Sequence, residues 1–531
     1  MKNKIIISLF LALSFVSCKK DLLDLTNPNT LDASNFWKTE KDAELGIDAV
    51  YNMFYKQGSW TRWIQYSFDL KSDECSNVSP WLELQDWTKF KYTNYDFNEG
   101  NRVIWKDHYK AIFRANQVLA YVPDITFEDN AKKQRILGEA KYLRAMYYYN
   151  LALLWGNVPI VDKPSKPDDQ PFNSTQDQVY AFIENDLIEA SQMLAEKYSG
   201  NDVGRATVGA AKALLARVYM MQHKWSEAKD QLSWLVEGSG KGYYDLTANW
   251  EDNFKHTAEN NVESVFEIQF GDFNPGGPEG DVAGQSMGFH RAQFFAPNGI
   301  GWNEGDVRRW VVDEFLKEKR TDGQYDRRLL RTAWFYEQPT YFPFDNNLVY
   351  GKTFTNGSRW TPQWDYESTN TGEKGHRCLI RKYQGDYYRT YETYECPINF
   401  RFIRFADVLL MYAECINNIE GPANAVQYVD RVRTRAKLPN LSINHSDALT
   451  SKEKFQDRLE IERTLELCGE NVRWADLMRW GYFDSKEKIA ILKARDADFK
   501  LFDDITFKHK FFPISSLELS ANKNLKQNPN Y

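Results

Sequence analysis

The sequence has no surplus of positive charge. Lys and Arg number 67 against 74 Asp and Glu, a formal net charge of −7. The chain therefore offers no overall basic surface for nucleic acid and no polybasic attraction to an anionic membrane. Histidine is scarce: His108, His223, His256, His290, His376, His445 and His509 are scattered, and no two share a helical turn, so there is no H-E-x-x-H metal motif. Cysteine is scarce as well. Cys18, Cys75, Cys378, Cys396, Cys415 and Cys468 have spacings that imply neither a disulfide framework nor a zinc site. Cys415 and Cys468 fall in helical patterns and read as small buried hydrophobes. Beyond the first 16 residues, no apolar run is long enough to cross a bilayer.

Intact catalytic motifs are also missing. Gly284-Gln285-Ser286-Met287-Gly288 fits G-x-S-x-G, but the preceding FNPGGPEGDVAG cannot form the buried strand that holds such a serine. Gly351-Lys352-Thr353 resembles the end of a phosphate loop, yet Asn346 stands where the earlier glycine is required. Glycosidases need only two carboxylates across a sugar, and 74 acidic residues neither reveal nor dismiss such a pair. A surface-tethered glycoside hydrolase thus stays open as the enzymatic alternative to a binding protein.

What the chain has in quantity is aromatic side chains: 17 Trp, 30 Tyr and 33 Phe. Most of these serve the core and helix interfaces. Those left in loops suit sugar rings, whose C–H faces stack on flat π-systems while polar edges take hydroxyls.

The N-terminus is a targeting pattern. Lys2 and Lys4 precede an apolar run, Ile5–Val16, of signal-peptide length, and Ser17-Cys18 closes it. A small residue before Cys at that place is a lipoprotein cleavage pattern, although Phe15 stands where Leu is usual. The expectation is a lipoprotein signal peptide over 1–17, lipidation of Cys18, and an extended tether over 18–36 through Asn27-Pro28-Asn29. Such a chain is anchored to a membrane and does not span it.

The remainder, 37–531, reads as one mainly α domain. Helical periodicity marks Asp42–Tyr55, Arg102–Tyr121, Gln134–Trp155 and Gln176–Leu194. In the third, Ala140, Leu143, Tyr147, Leu151 and Leu154 form one stripe, and Gly156, Asn157 and Pro159 end it. Segments 206–236 and 405–436 resemble each other: a Leu-Leu pair, a Tyr, a polar break and an Ala-bearing second helix. That is the layout of a tetratricopeptide unit, which must stack on neighbours to bury its face. Helical-hairpin scaffold is expected over about 37–237 and 400–531. Between them, about 238–399 is rich in Gly, Pro, Asn and aromatics, with one helical stretch at Arg308–Lys319 and an alternating strand at Glu263–Phe270. This reads as an irregular, loop-rich lobe with short strands.

Several blocks together resemble the SusD/RagB family: NFWKTEKDAELGIDAVYNMFY (35–55), GEAKYLRAMYYYNLALLWGNVPIV (138–161), ALLARVYMMQHKWSEA (213–228), NVESVFEIQF (261–270), IRFADVLLMYAECIN (403–417), VDRVRTRAKLP (429–439), LEIERTLELCGENVRWADLMRWG (459–481) and FPISSLELSANKNLKQNPNY (512–531). They run in family order over essentially the whole chain. Asn471 and Asn530 depart from it, each standing where glycine is common. The charged block from Glu460 to Arg479, including Glu462, Arg463, Glu466, Glu470, Arg473 and Asp476, reads as paired charges locking two helix ends.

The resemblance implies an outer-membrane lipoprotein that captures glycan for a SusC-like, TonB-dependent transporter, does no chemistry and needs no cofactor. Its RagB side keeps peptide open as an alternative ligand. Binding residues do not carry over from the family one by one, so contact residues are sought among loop aromatics with polar neighbours. Two stretches qualify. Ser79–Tyr95 carries Trp81, Trp87, Tyr92 and Tyr95 beside Glu83 and Gln85, and the lobe carries Phe294, Phe295, Asn298, Trp302, Trp334, Trp360 and Trp364. Trp37, Trp155, Trp474 and Trp480 lie in scaffold blocks and are set aside.

Overall fold

The computed structural model describes residues 36–77, 79–92, 95–271, 287–297, 300–335, 341–342, 378–389, 392–495 and 506–531. Cys18, the signal and tether segments, Ser286, the 351–353 triplet, Asn298, Trp360 and Trp364 lie outside the described residues.

Helices α1 (Glu40–Tyr51), α2 (Trp63–Leu70), α3 (Leu82–Lys89), α4 (Glu99–Tyr121), α5 (Asn130–Trp155), α6 (Gln176–Met193), α7 (Val208–Met221) and α8 (Trp225–Val236) fill the first half. Their starts follow the sequence. Thr39, Asn98, Asp129, Thr175 and Thr207 each accept a backbone N–H of the first turn of α1, α4, α5, α6 and α7, which satisfies donors that the helix itself leaves unpaired. The short helices α9 (Arg291–Phe295), α10 (Arg309–Leu316) and α11 (Arg328–Thr332) lie in the lobe. Helices α12 (Phe405–Glu420), α13 (Pro422–Arg435), α14 (Lys452–Leu467) and α15 (Arg473–Arg479) return to the scaffold.

Successive helices pack as neighbours: α4 on α5, α5 on α6, α6 on α7 and α7 on α8. The row continues across the lobe, because α8 packs on α12 and α12 on α13. Both repeated segments are helical hairpins, as their pattern predicts. His223, in the left-handed region at φ 57°, breaks α7 from α8, while Gly421 at φ 100° followed by Pro422 breaks α12 from α13.

Two small antiparallel sheets join lobe strands to strands outside the lobe. Strand β2 (Ser264–Ile268), shorter than the predicted run, pairs with β6 (Phe400–Arg404) with register shifts. Strands β1 (Cys75–Asn77), β3 (Gly305–Val307), β5 (Leu379–Ile380) and β4 (Ala333–Trp334) form the other, in that order. The fold is thus mainly helical with short strands, as the sequence indicates. One helix is unexpected: α3 occupies the middle of the stretch read as an aromatic loop.

The charged block is buried throughout and reaches further than two helix ends. Glu466 accepts from Arg328 (2.8 Å), Trp250 (2.9 Å), Arg404 and Arg435. Glu470 accepts from Lys382 (2.7 Å) and Arg404 (2.6 Å). Arg404 also donates to Glu263 (2.7 Å), so the network joins lobe residues to α14. Burial works against the Glu466 charge, but Arg435, Arg404 and Arg328 hold its carboxyl well below the usual range.

The C-terminal segment closes the end of α5. Phe512 N donates to Leu154 O (2.7 Å), Trp155 Nε1 donates to Pro513 O (3.2 Å), and Asn528 Nδ2 donates to Trp155 O (2.9 Å) and Phe512 O (2.7 Å).

Candidate functional site

Three separate chain segments bring aromatic rings to one place. The first is the lead into α3. Asn77 is held by Thr88 (Nδ2 to Oγ1, 3.1 Å), accepts from Ser79 N (2.9 Å), and Ser79 Oγ accepts from Trp81 N (3.2 Å). This ladder fixes Trp81 as the residue preceding the helix, and Gln85 Nε2 adds a bond to Ser79 O (2.7 Å).

The second is the turn after α9. Trp302 N, Asn303 N and Glu304 N donate back to Gln293 O (2.7 Å), Ala296 O (2.8 Å) and Phe294 O (2.9 Å). The turn needs Gly301, since a Cβ there would lie 2.4 Å from Ala292 O. The third segment carries Tyr394. Buried Arg389 ties the second to the third, donating to Ile300 O (2.9 Å) and Thr393 O (2.6 Å).

The rings form one cluster. Trp302 lies 4.9 Å from Phe294, 5.7 Å from Tyr394 and 6.3 Å from Trp81; Trp81 lies 5.7 Å from Phe294. Trp81, Trp302 and Tyr394 are partly exposed, whereas Phe294 is wholly buried beneath them. Arg62 is also buried, with its guanidinium 4.1 Å from the Trp63 ring centroid, 4.6 Å from Phe294 and 5.0 Å from Trp81. Such cation–π contacts stiffen the ring positions. Burial pushes the Arg62 pKa down, against the pull of nearby tyrosines and of Glu99 and Glu83. The segments that carry the rings also carry carboxylates and amides: Glu83 and Gln85 on α3, just after Trp81, and Gln293 on α9, whose Nε2 donates to Glu392 (3.4 Å). The arrangement is an apolar platform with a polar margin. Among the described residues no group of His, Cys, Asp and Glu is placed to hold a metal ion.

Several expected contact residues are corrected by burial. Trp87 sits on α3 and points inward. Its Nε1 donates to Asn101 Oδ1 (2.9 Å), and its ring covers Gly100, where a Cβ would lie only 2.6 Å away. Trp334 is strand β4, 1% exposed, with Arg381 over its ring at 5.2 Å. Phe294 and Phe295 are fully buried; the first is the floor of the platform and the second packs on Tyr66 at 4.8 Å. Tyr92 is buried against Phe512 and Lys71, and Tyr95 packs beside Tyr531. Of the expected residues, the structure brings Trp81 and Trp302 together. Tyr394 and Arg62 were missed. Tyr394 lies in a tyrosine-rich run next to the edge of the lobe, and Arg62 stands between Trp60 and Trp63, so composition alone could have flagged both.

A small cavity lies elsewhere, lined by Trp60, Tyr149, Asn150, Arg463 and Asp476. Its volume of about 30 Å³ suits buried water, not a sugar.

Comparison with known proteins follows the same lines. A family model described as the SusD family matches residues 262–531, and one described as starch-binding, associating with the outer membrane, matches 21–220. SusD-like protein P25 of Formosa agariphila is 25% identical, with 98% of this chain and 97% of that protein aligned. Among solved structures, a laminarin-binding SusD-like protein is 25% identical with a TM-score of 0.72, covering 93% of this chain and all of the other. Surface glycan-binding protein A of Bacteroides thetaiotaomicron, in complex with laminarihexaose, is 24% identical with a TM-score of 0.70 and the same coverage. The chain belongs to the SusD/RagB family.

Proposed function

We propose that the chain is a glycan-capture protein of the outer membrane, with Trp81, Trp302 and Tyr394 as its sugar-stacking surface. The observation that carries this is their convergence, partly exposed, over the buried Phe294–Arg62 floor. Flat rings with a polar margin fit an oligosaccharide, since each sugar ring offers a C–H face to stack and hydroxyls to bond. The laminarin-binding and laminarihexaose-bound relatives support a glycan as ligand. Retention at the membrane would come from lipid on Cys18, and uptake from a TonB-dependent transporter beneath. The platform itself serves binding, not turnover.

The test is calorimetric titration of a soluble form beginning after Cys18 with laminarihexaose, starch oligosaccharides, other plant, host and microbial glycans, and peptide mixtures. Saturable binding of one glycan class is expected. Trp302→Ala or Trp81→Ala should each weaken it about tenfold, the equivalent of roughly 1.4 kcal/mol. Binding of peptides alone would overturn the glycan reading, and hydrolysis of the titrated glycan would favour the glycosidase alternative.

A further inference from the structure

A second group of rings lies outside the platform. His256 opens a short turn, His256–Ala258, and Tyr387 and Tyr388 follow a turn at Gly385. The ring centroids stand 5.6 Å apart for His256 and Tyr387, 4.7 Å for His256 and Tyr388, and 5.1 Å for the two tyrosines. His256 is stacked on Tyr387. All three residues are partly exposed. In sequence His256 stands 131 residues before Tyr387, so only the fold makes the cluster.

The rings are held in place. Tyr388 N and Arg389 N donate to Gly385 O (3.0 and 2.8 Å). Gly385 sits at φ 66°, and a Cβ there would meet the Tyr388 ring at 2.8 Å. Asp386, buried just before Tyr387, accepts from Arg381 (2.9 Å) and Arg331 (3.2 Å). On the other segment, Arg401 donates to Ala258 O (3.0 Å). Tyr387 Oη accepts from His256 N (2.8 Å) and is hydrogen-bonded to His256 Nδ1 (2.7 Å). The imidazole is thus fixed by its Nδ1 edge, while Nε2 has no protein partner among the described residues. Burial lowers the His256 pKa, so the ring is neutral at about pH 7.

We propose that His256, Tyr387 and Tyr388 form a second glycan-stacking site, which takes another stretch of the polysaccharide held by Trp81, Trp302 and Tyr394. The inference rests on the glycan reading above. The chemistry of the cluster is that of the platform: partly exposed ring faces for C–H faces, and Oη and Nε2 atoms for hydroxyls. Charged groups supply a margin. Arg331, 5.9 Å from the Tyr387 ring centroid, donates to Glu251 (3.1 Å), and Lys255 precedes His256 in the chain. Because the rings are already fixed, little side-chain freedom is lost when a ligand docks.

The second site is a near neighbour of the platform. Tyr388 Oη lies 3.5 Å from Cys396 Sγ, and Cys396 is two residues past Tyr394, a span of at most about 7 Å along the chain. Arg389, next after Tyr388, donates to Ile300 O and Thr393 O on the segments that carry Trp302 and Tyr394. Two modest contacts to one long glycan hold it more tightly than either alone. A short oligosaccharide gains nothing from the pair.

The test uses the full chain, produced with its own signal in a Gram-negative host and recovered in detergent. Laminarin, starch and a panel of other plant, host and microbial polysaccharides are titrated, each beside its own trisaccharide. The double variant Tyr387→Ala/Tyr388→Ala should bind the preferred polysaccharide about tenfold more weakly and its trisaccharide as the wild type does. Trp302→Ala should weaken both. Hydroxyl-radical footprinting of the wild type needs no variant to fold: the polysaccharide should shield Tyr387 and Tyr388 together with Trp81 and Trp302. Unchanged polysaccharide affinity in the double variant, with both tyrosines unshielded, would overturn the second site and leave the platform standing. Shielding of neither set by any polysaccharide of the panel would overturn the glycan reading itself.

Discussion

Asn471 and Asn530 stand where the family commonly has glycine, and both adopt positive φ, 64° and 72°. Asparagine is among the few residues with a side chain that enter this region readily, which explains the exchange. The two sites differ in one respect. Asn471 also donates to Gln65 O at 2.7 Å. Asn471→Gly is therefore expected to cost about 1 kcal/mol for the lost bond, while Asn530→Gly should be neutral or slightly stabilising; urea unfolding of both variants checks this. Asp86 offers a pH test. Burial, then the Glu83 charge, push its carboxyl up to about 7, whereas an unfolded chain releases that proton near pH 4. The folded state thus holds a proton that the unfolded state gives up, and stability falls as pH rises from about 4 to about 7, then levels. Asp86→Asn should remove this slope, matching the wild type at pH 4 and melting above it at pH 8 in a calorimetric series. Trp81 and Trp87 show where reading by residue type ends. They lie in the same short aromatic stretch and looked alike, and only the docking of Gly100 and Asn101 sends one ring inside.

At the scale of elements, the long helices were the most legible part. The stripe in α5 and the stops at Gly156 and Pro159 need no tertiary knowledge. α3 was not legible, because its mean burial comes from Leu84, Asp86 and Trp87 packing on neighbours distant in sequence, and eight residues of mixed polarity carry little period. The charged residues on α14 and just past its end, Glu462, Glu466 and Glu470, were legible as scaffold, but not their partners, since Arg328, Lys382 and Arg404 arrive from the lobe and from β6. Removing one partner of such a buried network leaves the others uncompensated. Arg404→Ala is expected to cost about 3–5 kcal/mol, read as a lowered denaturation midpoint. The loss of a cap is milder: Thr207→Ala, which frees Ala210 N at the start of α7, should cost about 1 kcal/mol.

At the scale of the whole molecule, the contact of α8 with α12 makes the helical row continuous although the lobe interrupts it in sequence. Leu232, Leu235 and Val236 on α8 are buried, and α12 is one of the helices that cover that end of the row. A fragment ending at residue 237 should therefore keep helical circular dichroism yet melt without a cooperative transition, and mixing it with the 238–531 fragment should restore one. Two separate sharp melts would show that the halves are independent. The C-terminal clamp has a further consequence, for synthesis. The carbonyls of Leu154 and Trp155 take their hydrogen bonds from Phe512 and Asn528, which leave the ribosome some 360 residues later. The end of α5 therefore waits for partners made long after it, so a copy terminated before residue 512 would leave the Leu154 and Trp155 carbonyls without these donors.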